Sequence, residues 1–441
     1  MHSSSAESRS PAAATGLEVR PFRALTYRRQ DPEHLARVSS PAYDLVTPAG
    51  RDHLADADPH NIVRLILPRV DPAAGSPGDT DRPNRSAEQA AATLRRWQAE
   101  GILDRDDVPA LWLYELRPAE GTPATVGWLG AVALPSAGSS AVLPHEDTYP
   151  VAVEGRRALL AATGTDLEPI VLAHDPEPVV ASLTAQARQG SPTLEIHDTE
   201  GVHHRLWRVT APAFLARLTG ALARTGSVIA DGHHRFAAAR ANSRTPSAHA
   251  GSDAVLALLT PMGPGGLRVA PIHRVVPDLD PTEALAAAAD GFRVTELSLA
   301  RGQADLRPAI QGWLDEPDAT GFLVTDGRRL AALTDPSHRV LETVPPEAPP
   351  AWRGLDVVLA HHGLLAHLWR RRDDPESVLI AHSVDEAVRA AADRSGVALV
   401  LRPPSPADVA AVARSGARMP RKSTLFVPKP RTGLVLRPLD D

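Results

Sequence analysis

Cysteine is absent from all 441 residues, which removes disulfides, thiolate nucleophiles, Cys-ligated zinc and iron–sulfur clusters together. No apolar run approaches the 18 or so residues that a membrane-spanning helix needs, so no membrane partner is expected. The formal charge of −6 comes from 47 basic and 53 acidic residues spread along the chain. That balance lacks the clustered positive footprint of a protein that binds nucleic acid. Lysine is nearly missing: only Lys422 and Lys429 occur, and the other basic residues are all arginine. Such a bias looks like a GC-rich coding background, and against it two lysines in one short C-terminal stretch stand out.

What is there is ordinary for a globular chain. Hydrophobic residues make up 43% and charged residues 23%, which disfavours wholesale disorder. At roughly 150 residues per domain the length suits two or three globular units. Met1–Thr15 is Ser/Ala-rich without an apolar centre, so it reads as a disordered tail rather than a signal peptide, and a cytoplasmic location is the expectation. Strand-like and helix-like segments alternate, which predicts an α+β (mixed α/β) architecture. Four regions are expected: the tail 1–15, an N-terminal α/β region 16–138, a core 139–278, and a C-terminal α/β region 279–441. The last strand segment of that final region, 419–436, is expected to return to the active site.

Local signals place the elements. Arg69–Arg85 reads as a surface loop, and Ser86 with Gln89 opens a helix that ends near Gly101. Ala110–Glu115 and Thr125–Leu134 read as antiparallel strands, Val153–Thr163 as a helix, and Pro169–Ala173 and Ser227–Ala230 as strands. An irregular stretch with Pro192 and the pair His203-His204 lies between these last two. Asp280-Pro281-Thr282-Glu283 supplies an N-cap, a proline at the first helical position and an acid in the first turn. Ser383 with Glu386, and Ser405 with Asp408, open two further helices, and Val397–Leu401 is a strand. Gly263–Gly266 reads as a turn, and His361, His362 and His367 as surface or core histidines.

Three motifs carry chemistry. In Ile229-Ala230-Asp231-Gly232-His233-His234-Arg235 a strand ends in Asp-Gly directly before a helix. The first N–H groups of that helix then point outward at the positive end of its dipole, an arrangement suited to phosphate. Asp231 either orients an imidazole or holds Mg²⁺, and an ordinary Asp-Gly surface turn is the plain alternative. In Pro144-His145-Glu146-Asp147-Thr148 two acids sit where a strand ends, either as a general base or metal ligand or as a solvated acidic turn. Met419–Lys429 holds both lysines, either as point charges for a phosphoryl group or as a basic edge strand that blocks aggregation. Pro41-Ala42-Tyr43-Asp44 and Asn61-Ile62-Val63-Arg64 read as turn plus strand, with Tyr43 and Arg64 as candidate pocket walls.

From about Arg20 to Leu436 the chain resembles the bacterial and archaeal domain-of-unknown-function family 1015. The resemblance rests on Arg20-Pro21-Phe22-Arg23, Pro41-Ala42-Tyr43-Asp44, Asn61-Ile62-Val63-Arg64, His145-Glu146 with Thr148, Pro169-Ile170, Ala230–Arg235, His273-Arg274, Met419–Thr424, Pro428-Lys429 and Thr432-Gly433-Leu434. Ala42 and Ile272 depart from the usual pattern. The middle region is similar to the free-serine kinases built on the ParB/sulfiredoxin fold, which implies a ParB/sulfiredoxin-like core.

Carried over residue by residue, that similarity makes Glu146 the catalytic acid and Asp231, Gly232, His233, His234 and Arg235 the phosphate-binding turn. It implies a nucleotide-dependent kinase that converts free L-serine, or a closely related hydroxy amino acid, to O-phospho-L-serine. ATP or ADP would be the donor, with Mg²⁺ at Asp231. Lys422 would stabilise the transferred group, and His145, Thr148, Tyr43, Arg64, Ser423 and Thr424 would line the substrate pocket. The alternative is a non-enzymatic, nucleotide-binding regulator of ParB-like type.

Overall fold

The computed structural model describes residues 16–69, 82–118, 123–136, 138–297, 305–316, 321–372, 374 and 376–440. The expected tail Met1–Thr15 and most of the expected loop Arg69–Arg85 lie outside the described residues. Within them the chain is a mixed α/β protein that folds into two compact units. The first takes the described residues up to Pro144, then Thr148–Leu267 and the segment from Pro428. The second takes His145–Asp147 and Arg268–Val427.

The first unit is built on one nine-stranded mixed sheet. Its order is Val142–Leu143, Ser227–Asp231, Ile170–His174, Ala254–Pro261, Thr125–Ala133, Leu111–Arg117, His203–Val209 and Leu194–His197, and Val19–Arg20 pairs with Thr125–Ala133 off this path. The central strand Ala254–Pro261 is apolar over most of its length and buried at its first seven positions, as a strand covered on both faces must be. Thr125–Ala133 carries glycines because its neighbours come so near. A Cβ on Gly130 would lie 2.7 Å from Val19 Cγ1 and 2.8 Å from Leu111 Cδ2.

Helices Pro178–Ala187, Pro212–Leu222 and His233–Asn242 supply Val180, Leu183, Leu215, Leu218, Phe236 and Ala239 to a core shared with Leu172, Ile229, Val255 and Leu259 of the sheet. Proline begins two of these, and Pro150 begins the helix Pro150–Thr163. The first helical position has no intrahelical partner for an N–H, so a residue without one is favoured there.

The second unit has a six-stranded antiparallel sheet in the order Arg293–Glu296, Leu330–Thr334, Phe322–Thr325, Val397–Val400, His273–Val276 and Leu379–Ala381. Asp280 accepts from the N–H groups of Thr282 and Glu283, Ser383 from that of Glu386, and Ser405 forms a reciprocal capping box with Asp408. These are three of the helix starts expected from the sequence.

Other expectations are corrected. The helix expected from Ser86 runs Arg82–Ala99, and the Ser86 hydroxyl donates to the carbonyl of Pro83 at 2.9 Å inside that helix rather than capping it. The segment Asn61–Arg64 is not turn plus strand: Val63–Ile66 is a short helix, opened by the Asn61 side-chain oxygen accepting from the Val63 N–H at 2.9 Å. The Asn61 amide also donates to the carbonyls of Arg37 and Ser39, which fixes it as a local brace. The regions 16–138 and 139–278 are not separate units either. Strand Thr125–Ala133 pairs along Ala254–Pro261, so the expected boundary falls inside one sheet, and residues from Arg268 onward belong to the second unit.

Leu172 is fully buried in the core of the first unit. Leu172→Ala is expected to lower stability by about 2–5 kcal/mol through lost burial and the cavity left behind. The check is the denaturant midpoint; an unchanged midpoint would contradict the packing described.

Candidate functional site

In the first unit, strand Ser227–Asp231 passes through Gly232 into the helix His233–Asn242. Gly232 has φ 94°, the left-handed region that L side chains avoid, and a Cβ there would lie 2.8 Å from Ile170 Cγ2. Both facts require glycine. No side chain caps the helix, so its dipole end is not neutralised by a capping oxygen, as Asp31 or Glu177 does elsewhere in this unit.

Asp231 is the centre of an ion cluster. Arg235 Nη2 donates to its Oδ2 at 2.5 Å, and Lys429 Nζ to its Oδ1 at 2.7 Å. Lys429 also donates to Asp44, and Arg235 Nη1 donates to the carbonyl of Pro169 at 2.5 Å. The side chains of Asp231, Arg235 and Lys429 are 15%, 11% and 7% exposed, so these charges depend on one another rather than on water. Burial pushes the Asp231 carboxyl up, yet Arg235 and Lys429 overcome it and hold it below its ordinary value. Burial pushes the Lys429 ammonium down, and Asp231 and Asp44 more than reverse that.

Tyr43 lies beside this cluster, its ring under the guanidinium of Arg156 at 3.8 Å and that of Arg235 at 5.5 Å. Burial raises its hydroxyl pKa. Its N–H donates to buried Glu168, which also accepts from Thr432. His234 Nε2 accepts from the N–H of Tyr149, and the two rings stack at 5.8 Å. The hollow lined by Arg156, Thr165, Glu168 and Arg235 is only about 40 Å³. It is water-sized.

The second unit holds the other candidate group. His145 is fully buried and its Nε2 lies 2.9 Å from Thr424 Oγ1. Thr424 donates to Glu146 Oε1 at 2.9 Å. A hydroxyl has one proton, so Thr424 accepts from the His145 Nε2–H while it donates to the carboxylate. The result is a relay of imidazole, hydroxyl and acid that orients Glu146, which remains 28% exposed. Asp147 points into solvent at 88% exposure, with Arg418 3.7 Å away.

Several expected site residues have other places. Lys422 is exposed on a turn at φ 53°, and Lys429 is the lysine at Asp231. Neither lies in the strand Leu425–Val427, which pairs antiparallel with Arg268–Ala270 in a two-stranded sheet. Ser423 is buried and donates to the carbonyl of Pro420 at 2.6 Å, a turn-locking bond. Arg64 donates to the carbonyl of Ala55 at 2.5 Å and ties two helices rather than lining a pocket. Thr148 is half-buried at the start of the next stretch of the first unit. His233 is buried in the first turn of its helix.

Asp231 does not fit Mg²⁺. Both its oxygens are engaged by cations, and a divalent ion would have to displace Lys429 beside a fixed guanidinium.

A model of the family described as a protein of unknown function, DUF1015, matches residues 19–358. The chain belongs to this family. No curated protein matches it. Among solved structures, a conserved hypothetical protein from Pyrococcus furiosus is similar at 14% identity and a TM-score of 0.31, over 65% of this chain and 87% of that one. SbnI with a C-terminal truncation, from Staphylococcus aureus, is similar at 12% identity and a TM-score of 0.35, over 70% and 87%. A free serine kinase in complex with AMP is similar at 14% identity and a TM-score of 0.32, over 70% and 91%. In this DUF1015 chain the matched span contains Asp231 and Glu146 but ends before Thr424 and Lys429, the C-terminal partners that each acid acquires.

The cluster makes a pH prediction. Asp231, depressed in the folded state, contributes stability that is present above the unfolded value of about 3.9 and is lost as pH falls through its lower folded value. Lys429, raised in the folded state, contributes stability that is present below about 10.4 and is lost as pH rises through its folded value. The parent should therefore be more stable than Lys429→Met between about pH 5 and 9, with the gap closing at both extremes. Denaturant unfolding across pH checks this, and a gap that does not vary with pH would contradict it.

Proposed function

We propose that this DUF1015 chain is a nucleotide-dependent phosphotransferase that acts on the hydroxyl of free L-serine or a closely related hydroxy amino acid, with ATP or ADP as donor. The observation that carries the reading is the Asp231–Gly232 turn. It places the uncapped end of the helix His233–Asn242 beside the Arg235 and Lys429 cations that pair with Asp231, groups of the kind that favour a phosphate chain. Lys429 takes the part that the sequence suggested for Lys422. The choice of serine, and a ParB/sulfiredoxin-like core, rest on the sequence resemblance of Glu146 and the Asp231–Arg235 turn to the free-serine kinases.

In the reaction the acceptor hydroxyl gives its proton to Glu146. Its oxygen bonds to the terminal phosphorus, and the bond from that phosphorus to the departing nucleotide breaks. Glu146 suits the role because it is partly exposed and oriented by Thr424 and His145. A base must be held within reach of the proton that it takes.

The test is a phosphate-transfer screen of purified protein with several nucleotides against free hydroxy amino acids. Glu146→Gln should lower turnover by about 10²- to 10⁴-fold with little change in nucleotide affinity, and the solvent-facing Asp147→Asn should stay close to the parent. A Glu146→Gln variant as active as the parent would sink the assignment. Nucleotide binding with no transfer to any acceptor would favour the regulator of ParB-like type.

A further inference from the structure

The pair His203-His204 is divided between two faces of the sheet. His204 turns inward, where its Nδ1 meets the Tyr114 hydroxyl at 2.8 Å and its Nε2 meets Asp198 at 3.1 Å. His203 turns outward, in direct cross-strand register with His197. The two outward rings stack at 4.1 Å between centroids with an interplanar angle of 10°. Glu195, two residues before His197 and therefore on the same face, places Oε1 2.5 Å from His203 Nε2. One ligand atom from each of Glu195, His197 and His203 lies within 4.8 Å of the others. The hairpin Leu194–Val209 forms the end of the nine-stranded sheet, and His197 is exposed, so the group is open to solvent.

We propose that Glu195, His197 and His203 form a binding site for a divalent transition-metal ion of the zinc class. Two imidazoles and one carboxylate are the donor set that borderline ions of this type select, whereas Mg²⁺ and Ca²⁺ prefer oxygen alone. An ion with ligands at about 2.0–2.2 Å takes the place of the hydrogen bond between His203 Nε2 and Glu195 Oε1, and the carboxylate moves back by roughly 1 Å to admit it. The fourth position stays open to water. The arginines nearest to Glu195 and His203 in the ladder bond to another acid. Arg205 lies opposite Glu195 and Arg117 opposite His203 in the ladder, but both guanidiniums converge on buried Glu115 together with Arg188. The one carboxylate of the outer group is thus left to the imidazoles. This site is separate from the residues assigned to phosphoryl transfer and stands whether or not that reading does.

The test is calorimetric titration of the full, untagged chain with Zn²⁺, supported by the absorption spectrum of added Co²⁺. One saturable site per chain is expected. Affinity should fall by at least about tenfold in His197→Ala and in His203→Asn, since loss of even an outer-shell partner commonly costs that much. His338→Ala, at an exposed histidine of the second unit, should leave binding unchanged. His197→Ala alters an exposed position, so a folded variant is available if His203→Asn is not. Absence of saturable binding, or the same affinity in the parent and in His197→Ala, would overturn the proposal.

Discussion

A buried carboxylate is tolerable only if cations reach it, and Asp231 has two. Arg235 comes from four residues further along the same chain segment, while Lys429 arrives from 198 residues away. The local partner fixes the turn into its helix. The distant one fixes the C-terminal segment against the first unit, where Arg437–Pro438 then pairs with Thr165–Asp166. Removing either cation leaves charge stranded away from water, which is far costlier than never having buried the pair. The lysine consequently couples folding of the last residues to the geometry of the turn.

The same logic of borrowed partners shapes Glu146. Its segment His145–Asp147 is short, and what orients it is Thr424, supplied 278 residues later. The Met419 N–H, donated to the His145 carbonyl at 2.8 Å, holds the imidazole end of that relay. Arg274, fully buried, braces the incoming segment by donating to the carbonyls of Arg421 and Lys422. Histidine and arginine here act as scaffolding for one threonine and one acid.

What was legible in the sequence was local. Asp280, Ser383 and Ser405 open helices through bonds that span two or three residues, and the strand running into Asp231-Gly232 and a helix follows from apolar run, turn residue and periodicity. Helix starts failed where tertiary contacts decided. Ser86 satisfied a capping pattern, but the turn before it was already helical. Asn61 looked like the start of a strand, yet its amide had backbone partners at Arg37 and Ser39 that sequence spacing cannot show. The sharpest case is the lysine pair. Rarity marked Lys422 and Lys429 equally, and only the fold reveals that seven positions separate an exposed turn residue from the counter-ion of Asp231. The relay His145–Thr424–Glu146 and the cross-strand group on Leu194–Val209 were equally invisible, since both depend on pairing across the chain.

Near-absence of lysine also changes how the molecule can be interrogated. Amine-directed reagents meet two lysine targets in this chain, and they differ: Lys422 stands in solvent, while the Lys429 side chain is 7% exposed and bound to two acids. An acylating reagent requires an unprotonated, accessible amine, and Lys429 offers neither while the cluster is closed. Its rate of labelling, measured against Lys422 in the same polypeptide, is therefore a built-in clock for how often the ion cluster opens.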